Sequence, residues 1–291
     1  MKKLTMLKGL PASGKSTHAK SILRSESNHG RVNRDDIRKM VFGKWTGANE
    51  KIVVEIEKAI AGILSKNGKH VIVDDTNLTS RHEDMWKQVS KDLGVQFEKK
   101  EFDTHWKECL IRDFNRPNPV GPNVITKMAA KNGMIEWPDK PIVILDIDGT
   151  AADGTHREHY VKGEKKDWGS YYSLLSDDKP VYAIFKWVSE LAKDHTIVVV
   201  SGRPDDHYIE TMRWFEQAWK DGMPEFDIFQ MFLRNSGDHR PDDLVKREIL
   251  ELIPDYKDKV AFVLDDRPRV VRMWKEQGLT VFPVRGAVEE F

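Results

Sequence analysis

At 291 residues the chain is long enough for two domains of about 100 to 200 residues each, and its 47 basic and 47 acidic residues cancel overall. The cancellation hides an asymmetry: residues 1–138 carry 25 Lys+Arg against 17 Asp+Glu, and residues 139–291 carry 22 against 30, so the first half favours polyanions and the second needs divalent cations to meet phosphate esters. A single cysteine, Cys109, excludes an internal disulfide, and no stretch approaches the roughly 20 apolar residues of a membrane span, so a cytoplasmic protein without a membrane partner is expected.

The run Leu4-Thr-Met-Leu7 after Met1-Lys-Lys is too short for a signal peptide and reads as a first strand. Short β-branched runs then alternate with amphipathic stretches, the pattern of parallel sheets with crossover helices, so both halves read as α/β. In the first half strands are expected at 4–8, 31–33 and 70–74, with helices at 15–23, 50–66 and 80–93. In the second half strands are expected at 142–146, 196–201 and 260–265, with helices at 181–193, 208–220 and 267–277. Two prolines bracket a polar pair in Trp137-Pro-Asp-Lys-Pro141 directly before a new strand, which sets the expected boundary between domains 1–138 and 139–291. Three strands end in carboxylates, at Asp74-Asp75, Asp146 and Asp265-Asp266. In open parallel sheets the ligand crevice lies beyond the carboxyl ends of the strands, so these acids mark candidate sites.

The segment Gly9-Leu-Pro-Ala-Ser-Gly-Lys-Ser16 has the spacing of a phosphate-binding loop, between a strand and a helix whose N-H groups converge on phosphates. Gly9, Pro11, Ser13, Gly14, Lys15, Ser16 and Thr17 are thus candidate binders of ATP, with Lys15 bridging the β- and γ-phosphates and Ser16 holding Mg²⁺. After the next strand, Asn33-Arg-Asp-Asp-Ile-Arg38 supplies a carboxylate to take a proton from an alcohol and cations to hold the transferring phosphoryl group. The residues alone leave Asp35 and Asp75 as alternative bases. Arg112 and Arg116 lie four apart before the Pro117-Asn-Pro-Val-Gly-Pro122 loop, where a mobile segment could close on the triphosphate.

These elements resemble, in order and spacing, the phage-encoded bifunctional polynucleotide 5′-kinase/3′-phosphatase family. The resemblance covers residues 9–17, 33–38, Asp75-Thr-Asn-Leu78 and the Arg112/Arg116 pair. It implies that Asp35 is the general base for a 5′-hydroxyl, that Arg38 contacts the phosphoryl region, that Arg116 is a lid arginine, and that a tunnel admits a single-stranded 5′ end. Ala12 is a departure, standing where the best-known member of the family has glycine, a change that phosphate-binding loops often tolerate.

In the second half, Asp146-Ile-Asp-Gly-Thr150 at the end of an apolar strand resembles the haloacid-dehalogenase superfamily. Ser201-Gly-Arg203, Lys246 and Asp265-Asp-Arg267 follow in the expected order. A carboxylate nucleophile at Asp146 can form a mixed anhydride that water then hydrolyses, with Asp148 as acid and then base. Asp146, Asp148, Asp265 and Asp266 are the expected Mg²⁺ ligands, with Ser201, Gly202, Arg203 and Lys246 around the phosphoryl oxygens. The polynucleotide family adds Arg234 and Arg267 by resemblance. Between the first two motifs, residues 153–178 are rich in aromatic and basic residues, which suits a nucleotide end. His156 and His159 lie three apart, without a third ligand in the pattern for a zinc site.

The resulting expectation is a P-loop kinase-like parallel sheet with helices on both faces, followed by a haloacid-dehalogenase-like Rossmannoid domain. The expected activities are ATP-dependent phosphorylation of 5′-hydroxyl ends and Mg²⁺-dependent hydrolysis of 3′-phosphate ends of RNA or DNA. The resemblance further implies a phage protein repairing nicked tRNA, an RNA ligase as functional partner, and a homo-oligomer. The alternatives are a small-metabolite kinase fused to an unrelated phosphatase, and a nucleotide-gated binding module.

Overall fold

The computed structural model describes residues 2–43 and 47–284. The chain forms two compact units, one of residues 1–120 with 132–134 and the other of 121–131 with 135–291.

The first unit contains β1 (Lys3–Lys8), α1 (Lys15–Ser25), β2 (His29–Val32), α2 (Arg34–Phe42), α3 (Glu50–Lys66), β3 (His70–Val73), α4 (Ser80–Asp92), β4 (Gln96–Glu101) and α5 (Trp106–Phe114). Its four strands are all parallel, in the order β2-β3-β1-β4. Side chains alternate across a strand, and the two faces of this sheet are covered differently. Leu4, Met6, Val71 and Val73 pack with Ala61 of α3 and Trp86 of α4, whereas Leu7 and Ile72 pack with Ala19 and Ile22 of α1. The sheet thus has helices on both faces, and the loop between β1 and α1 opens at its carboxyl edge.

Two of the strands differ from expectation. The strand expected at 31–33 runs from His29 to Val32, because Asn33 leaves the ladder to cap α2, its Oδ1 accepting from the Asp36 N-H at 3.0 Å. The unexpected β4, Gln-Phe-Glu-Lys-Lys-Glu, is an edge strand joined to β1, and an edge needs less apolar sequence than a central strand. Its charges pair across the ladder, with Lys3 2.6 Å from Glu98 and Lys8 3.5 Å from Glu101.

The second unit begins with α6 (Pro122–Lys131) and continues with β5 (Ile142–Leu145), β6 (Ala152–Asp153), α7 (Trp168–Ser173), β7 (Lys179–Pro180), α8 (Tyr182–Leu191), β8 (Thr196–Pro204), α9 (Tyr208–Lys220), β9 (Gln230–Arg234), α10 (Asp242–Leu250), α11 (Tyr256–Lys259), β10 (Val260–Asp265), α12 (Pro268–Glu276) and β11 (Val281–Pro283). Helix α6 belongs here rather than before a boundary at 138. The Asn123 amide donates to the Leu233 carbonyl at 2.8 Å, and Gln230 donates to Thr126 at 3.4 Å, so α6 is bonded to β9.

The five-stranded sheet is parallel throughout, in the order β11-β10-β5-β8-β9. Val143, Leu145, Val199 and Leu233 pack under Phe185 of α8 and Trp214 and Phe215 of α9. Ile142, Ile144, Val198 and Phe232 pack under Ile249 of α10 and Trp274 of α12. Strands buried on both faces read as continuous apolar runs, which is why Ile142–Leu145 and Thr196–Val200 were recognisable in sequence. A short antiparallel pair, β6 with β7, closes the excursion that carries α7.

Candidate active sites

In the first unit Gly9 and Gly14 have φ of 155° and 101°, and a Cβ at Gly9 would meet both the Phe102 carbonyl and Ser13 Oγ at 2.8 Å. The loop therefore closes only around a residue without a side chain at position 9. Ala12 holds φ of 60°, a left-handed conformation that explains why glycine suits this place. Gly14 stands at the start of α1, whose first-turn N-H groups face the loop. Pro11, Ser13 and Lys15 are buried, whereas Ser16 and Thr17 are exposed. The Lys15 ammonium donates to the carbonyls of Gly9 at 2.9 Å and Leu10 at 2.6 Å and to Ser13 Oγ at 3.2 Å. Burial pulls its pKa down to about 8, with Asp74 opposing.

Ser16 Oγ donates to Asp74 Oδ1 at 3.1 Å, and Arg31 Nε to Asp74 Oδ2 at 2.6 Å. The two aspartates that end β3 have different surroundings from Asp35. Asp75 Oδ1 accepts from the Arg34 N-H at 3.0 Å, and Arg34 Nε donates to the wholly buried Glu57 at 2.8 Å. Burial, with Asp75 adding to it, pushes Glu57 up to about 9. Asp35 projects from the first turn of α2 with its side chain 72% exposed, 2.5 Å from Arg38, which in turn lies 2.6 Å from Glu50. Of the two acids, Asp35 is the one whose side chain reaches solvent, and Asp75 anchors the start of the helix that carries it.

Arg112 lies on the exposed side of α5, 2.8 Å from Glu108. Arg116 follows the helix end and is paired at 2.6 Å with the buried Asp113.

In the second unit, Asp146 ends β5, and Lys246 reaches up from α10. Lys246 Nζ lies 2.8 Å from Asp146 Oδ1 and 2.8 Å from Asp265 Oδ2, and the Trp274 indole donates to the same Asp265 oxygen at 3.1 Å. Asp146, Asp265 and Asp266 each offer an oxygen within 4.8 Å of the others, a donor set suited to a hard divalent cation. Burial raises Asp146, and burial with the neighbouring Asp265 pushes Asp266 up to about 6. Burial alone would lower Lys246, but the two carboxylates outweigh it and hold the ammonium charged. A Cβ at Gly149 would run into the Asp266 carboxylate, so the Asp146-to-Thr150 turn needs glycine there.

The carboxylate of Asp148 is placed differently from the expected metal ligand. It accepts from Arg203 Nη2 at 2.7 Å and Arg157 Nη2 at 2.6 Å, and the three-acid group forms without it. Both arginines also donate to the buried Asp178 at 2.6 Å. Although burial opposes ionisation, Arg203 and Arg157 hold Asp148 well below the usual carboxylate range. Ser201 is buried, its Oγ accepting from the Arg203 N-H at 3.3 Å. Arg234 donates to the Gly202 carbonyl at 3.0 Å, and both Arg234 and Arg267 reach Asp242. A Cβ at Gly202 would meet Asp242 Oδ1 at 2.8 Å. Asp146, Asp148, Gly202, Arg234, Lys246, Asp266 and Arg267 line one cavity of about 380 Å³.

A family model described as the polynucleotide kinase PNKP phosphatase domain matches residues 140–287, just over half of the chain. The chain belongs to this family. An AAA domain model matches residues 4–133. The polynucleotide kinase phosphatase family member described here is 30% identical, over 97% of its length, to a protein of Autographa californica nuclear polyhedrosis virus named bifunctional polynucleotide kinase/RNA ligase, and it spans 42% of that protein. It is also similar to a chain of the solved Pnkp1/Rnl/Hen1 RNA repair complex, with 27% identity over 98% of this chain and 96% of that one and a TM-score of 0.42. A solved APS kinase CysC of Mycobacterium tuberculosis, in complex with AMPPNP and APS, covers 38% of this chain and 68% of its own at 24% identity and a TM-score of 0.33.

Three residues of the family member's second site carried no sequence expectation: Arg157, Asp178 and Asp242. Arg157 and Asp178 are wholly or nearly buried charges whose partners lie up to 55 positions from one another along the chain, so no local spacing marks them. Asp242 sits in the first turn of α10, where an acid reads as an ordinary helix-start residue.

Proposed function

We propose that the chain heals broken nucleic-acid ends, its first unit moving the γ-phosphoryl group of ATP to a 5′-hydroxyl and its second unit hydrolysing a 3′-phosphate. The observation that carries this reading is that the β5 nucleophile position, Asp146, is held 2.8 Å from Lys246 beside Asp265 and Asp266 in a chain that also bears the Lys15 loop and an exposed Asp35–Arg38 pair. One constellation suits phosphoryl release and the other phosphoryl loading.

In the kinase reading the Gly9–Ser16 loop takes ATP as substrate. Lys15 exchanges the Gly9 and Leu10 carbonyls for phosphate oxygens, which accounts for a buried lysine poised on weak neutral partners. Pro11, Ser13, Gly14 and Thr17 shape the cradle, and Ser16, already bonded to Asp74, is the expected metal-side hydroxyl. Asp35 accepts the proton of the 5′-hydroxyl while Arg38 and Arg116 neutralise charge on the transferring group. Arg112 is assigned the lesser task of contacting the nucleotide from the α5 surface.

In the phosphatase reading Asp146 attacks phosphorus, the bond to the 3′-oxygen breaks, and Asp148 protonates the departing oxygen before activating water against the aspartyl phosphate. Asp148 is now held ionised by Arg157 and Arg203, so its acid role requires one arginine to turn onto the substrate phosphate and let a proton return. Ser201, Gly202 and Lys246 hold the phosphoryl oxygens, and Arg234 and Arg267 flank the strand. A divalent cation such as Mg²⁺, which the oxygens of Asp146, Asp265 and Asp266 would hold, supplies charge to offset the repulsion between nucleophile and anionic ester.

The proposal extends to RNA ends, nicked tRNA among them, in a cytoplasmic setting, with an RNA ligase as the enzyme that joins the healed ends and with self-association of the chain. The kinase/ligase name of the viral relative supports the pairing of end healing with an RNA ligase. The test offers γ-labelled ATP with Mg²⁺ and equal acceptor concentrations of a 5′-hydroxyl oligonucleotide, a nucleoside and a sugar. Label on the oligonucleotide is expected; preferential label on a free metabolite would replace this reading with a small-metabolite kinase.

A further inference from the structure

We propose that Trp168 and Tyr172 form a stacking shelf for the nucleobase of the strand's 3′-terminal nucleotide, so that the second unit selects a base-bearing end and not a bare phosphate ester. This deepens the phosphatase reading and rests on it. The short helix α7 places Trp168, Tyr171 and Tyr172 at i, i+3 and i+4, which puts the three rings on one face. That face lines the same cavity as Asp146, Asp148 and Lys246. The negative charge of Asp148 reaches both tyrosines, raising each beyond what burial does, which sets the shelf close to the reacting groups.

The three rings do different work. Tyr171 is 8% exposed and lies under the Arg157 guanidinium, 4.1 Å from its centroid, so it supports the arginine that grips Asp148. Trp168 is 43% exposed, and its ring is nearly parallel to Tyr172, at 22° and 5.7 Å between centroids. Core tryptophans of this chain, Trp86 and Trp274, are fully buried. A large apolar ring left open at a cavity mouth, with a second ring aligned behind it, presents a flat surface to a planar partner. Asp167 fixes the start of this helix by accepting from the Ser170 N-H at 3.0 Å and from its hydroxyl at 2.7 Å, so the shelf is held before any ligand arrives. Lys166, 5.8 Å over the Trp168 ring, puts a cation where the next backbone phosphate of a strand would pass.

Stacking on an aromatic side chain tolerates every base, because each has a π-face, so the shelf favours a terminal nucleotide without reading sequence. The experiment uses the full chain with Mg²⁺ and two single-stranded oligonucleotides carrying a 3′-phosphate, identical except that one has an abasic terminal residue. Wild type is expected to favour the base-bearing end, and Trp168→Ala to lower its kcat/KM about 5- to 100-fold through KM, with little change for the abasic end. Trp168→Phe is expected to recover most of the preference, since it restores a ring. Equal losses on both substrates, or no preference in wild type, would overturn the shelf while leaving the phosphatase intact. Failure of wild type to hydrolyse either end would instead overturn the underlying reading. Circular dichroism of each variant separates a folding defect from a binding one.

Discussion

Lys246 Nζ lies 2.8 Å from Asp146 Oδ1, and this ion pair is almost wholly withdrawn from water. Burial raises the Asp146 carboxyl, and the ammonium opposes that rise. Lys246→Met is therefore expected to lower the 3′-phosphatase kcat about 100- to 1,000-fold, the scale of losing one preorganised electrostatic group. The 5′-kinase rate should be unchanged, and steady-state assays of both activities check this. Lys246→Arg should not restore the rate, because a planar fork does not fit a site shaped for a compact ammonium.

Asp266 is raised to about 6, first by burial and then by Asp265. A raised carboxyl binds its proton more tightly folded than unfolded. Its stabilising effect in metal-free protein is complete below its ordinary pKa and is lost as pH rises through about 6. A divalent cation needs the ionised form, so the half-saturating Mg²⁺ concentration for phosphatase activity should fall as pH rises, close to tenfold per unit below about 6 for one displaced proton. Metal titrations at several pH values measure this, and thermal melts with and without Mg²⁺ should show the metal-dependent gain growing over the same interval.

Ala12 occupies φ of 60° in the nucleotide loop. The left-handed conformation costs an L-residue roughly 1–2 kcal/mol, and glycine forfeits about 0.4–1 kcal/mol of that gain through its freer unfolded chain. Ala12→Gly should stabilise the first unit by up to about 1 kcal/mol and retain kinase activity, whereas Ala12→Val should destabilise it. Denaturant midpoints of the two variants give the answer.

Asp35 and Asp75 should separate by phenotype. Asp35→Asn is expected to reduce 5′-kinase kcat about 100- to 10,000-fold with an unchanged melting temperature, as for loss of an exposed general base. Asp75→Asn disturbs the buried Arg34–Glu57 arrangement and should cost about 1–3 kcal/mol of stability. An Asp75→Asn protein that is stable and inactive, beside an active Asp35→Asn protein, would exchange their roles.

Much of this organisation was legible in the chain because phosphate chemistry concentrates at the carboxyl ends of buried strands. Asp74, Asp146 and Asp265 each follow a continuous apolar run that both faces of a parallel sheet require, so strand and acid announce each other. The edge strand β4 was not legible, since its Glu and Lys pair across one ladder and leave no apolar signature. Nor was the double ion pair of Arg157 and Arg203 with Asp148 and Asp178, which engages the Asp148 carboxylate apart from the group of Asp146, Asp265 and Asp266. Such pairings are decided by folding together distant segments, and neither Arg157 nor Asp178 sits in a motif of fixed spacing. Asp35 against Asp75 shows the same limit: only burial and the Arg34 N-H distinguish two acids that look alike in sequence.

The most direct test of two independent chemistries on one substrate presents an RNA stem-loop with a 5′-hydroxyl and a 3′-phosphate to wild type, Lys15→Ala and Asp146→Ala, with ATP and Mg²⁺, and follows both ends. Wild type should phosphorylate the first end and clear the second, Lys15→Ala should only clear, and Asp146→Ala should only phosphorylate. Loss of both activities from either change in a folded protein, or untouched ends with wild type, would contradict the account.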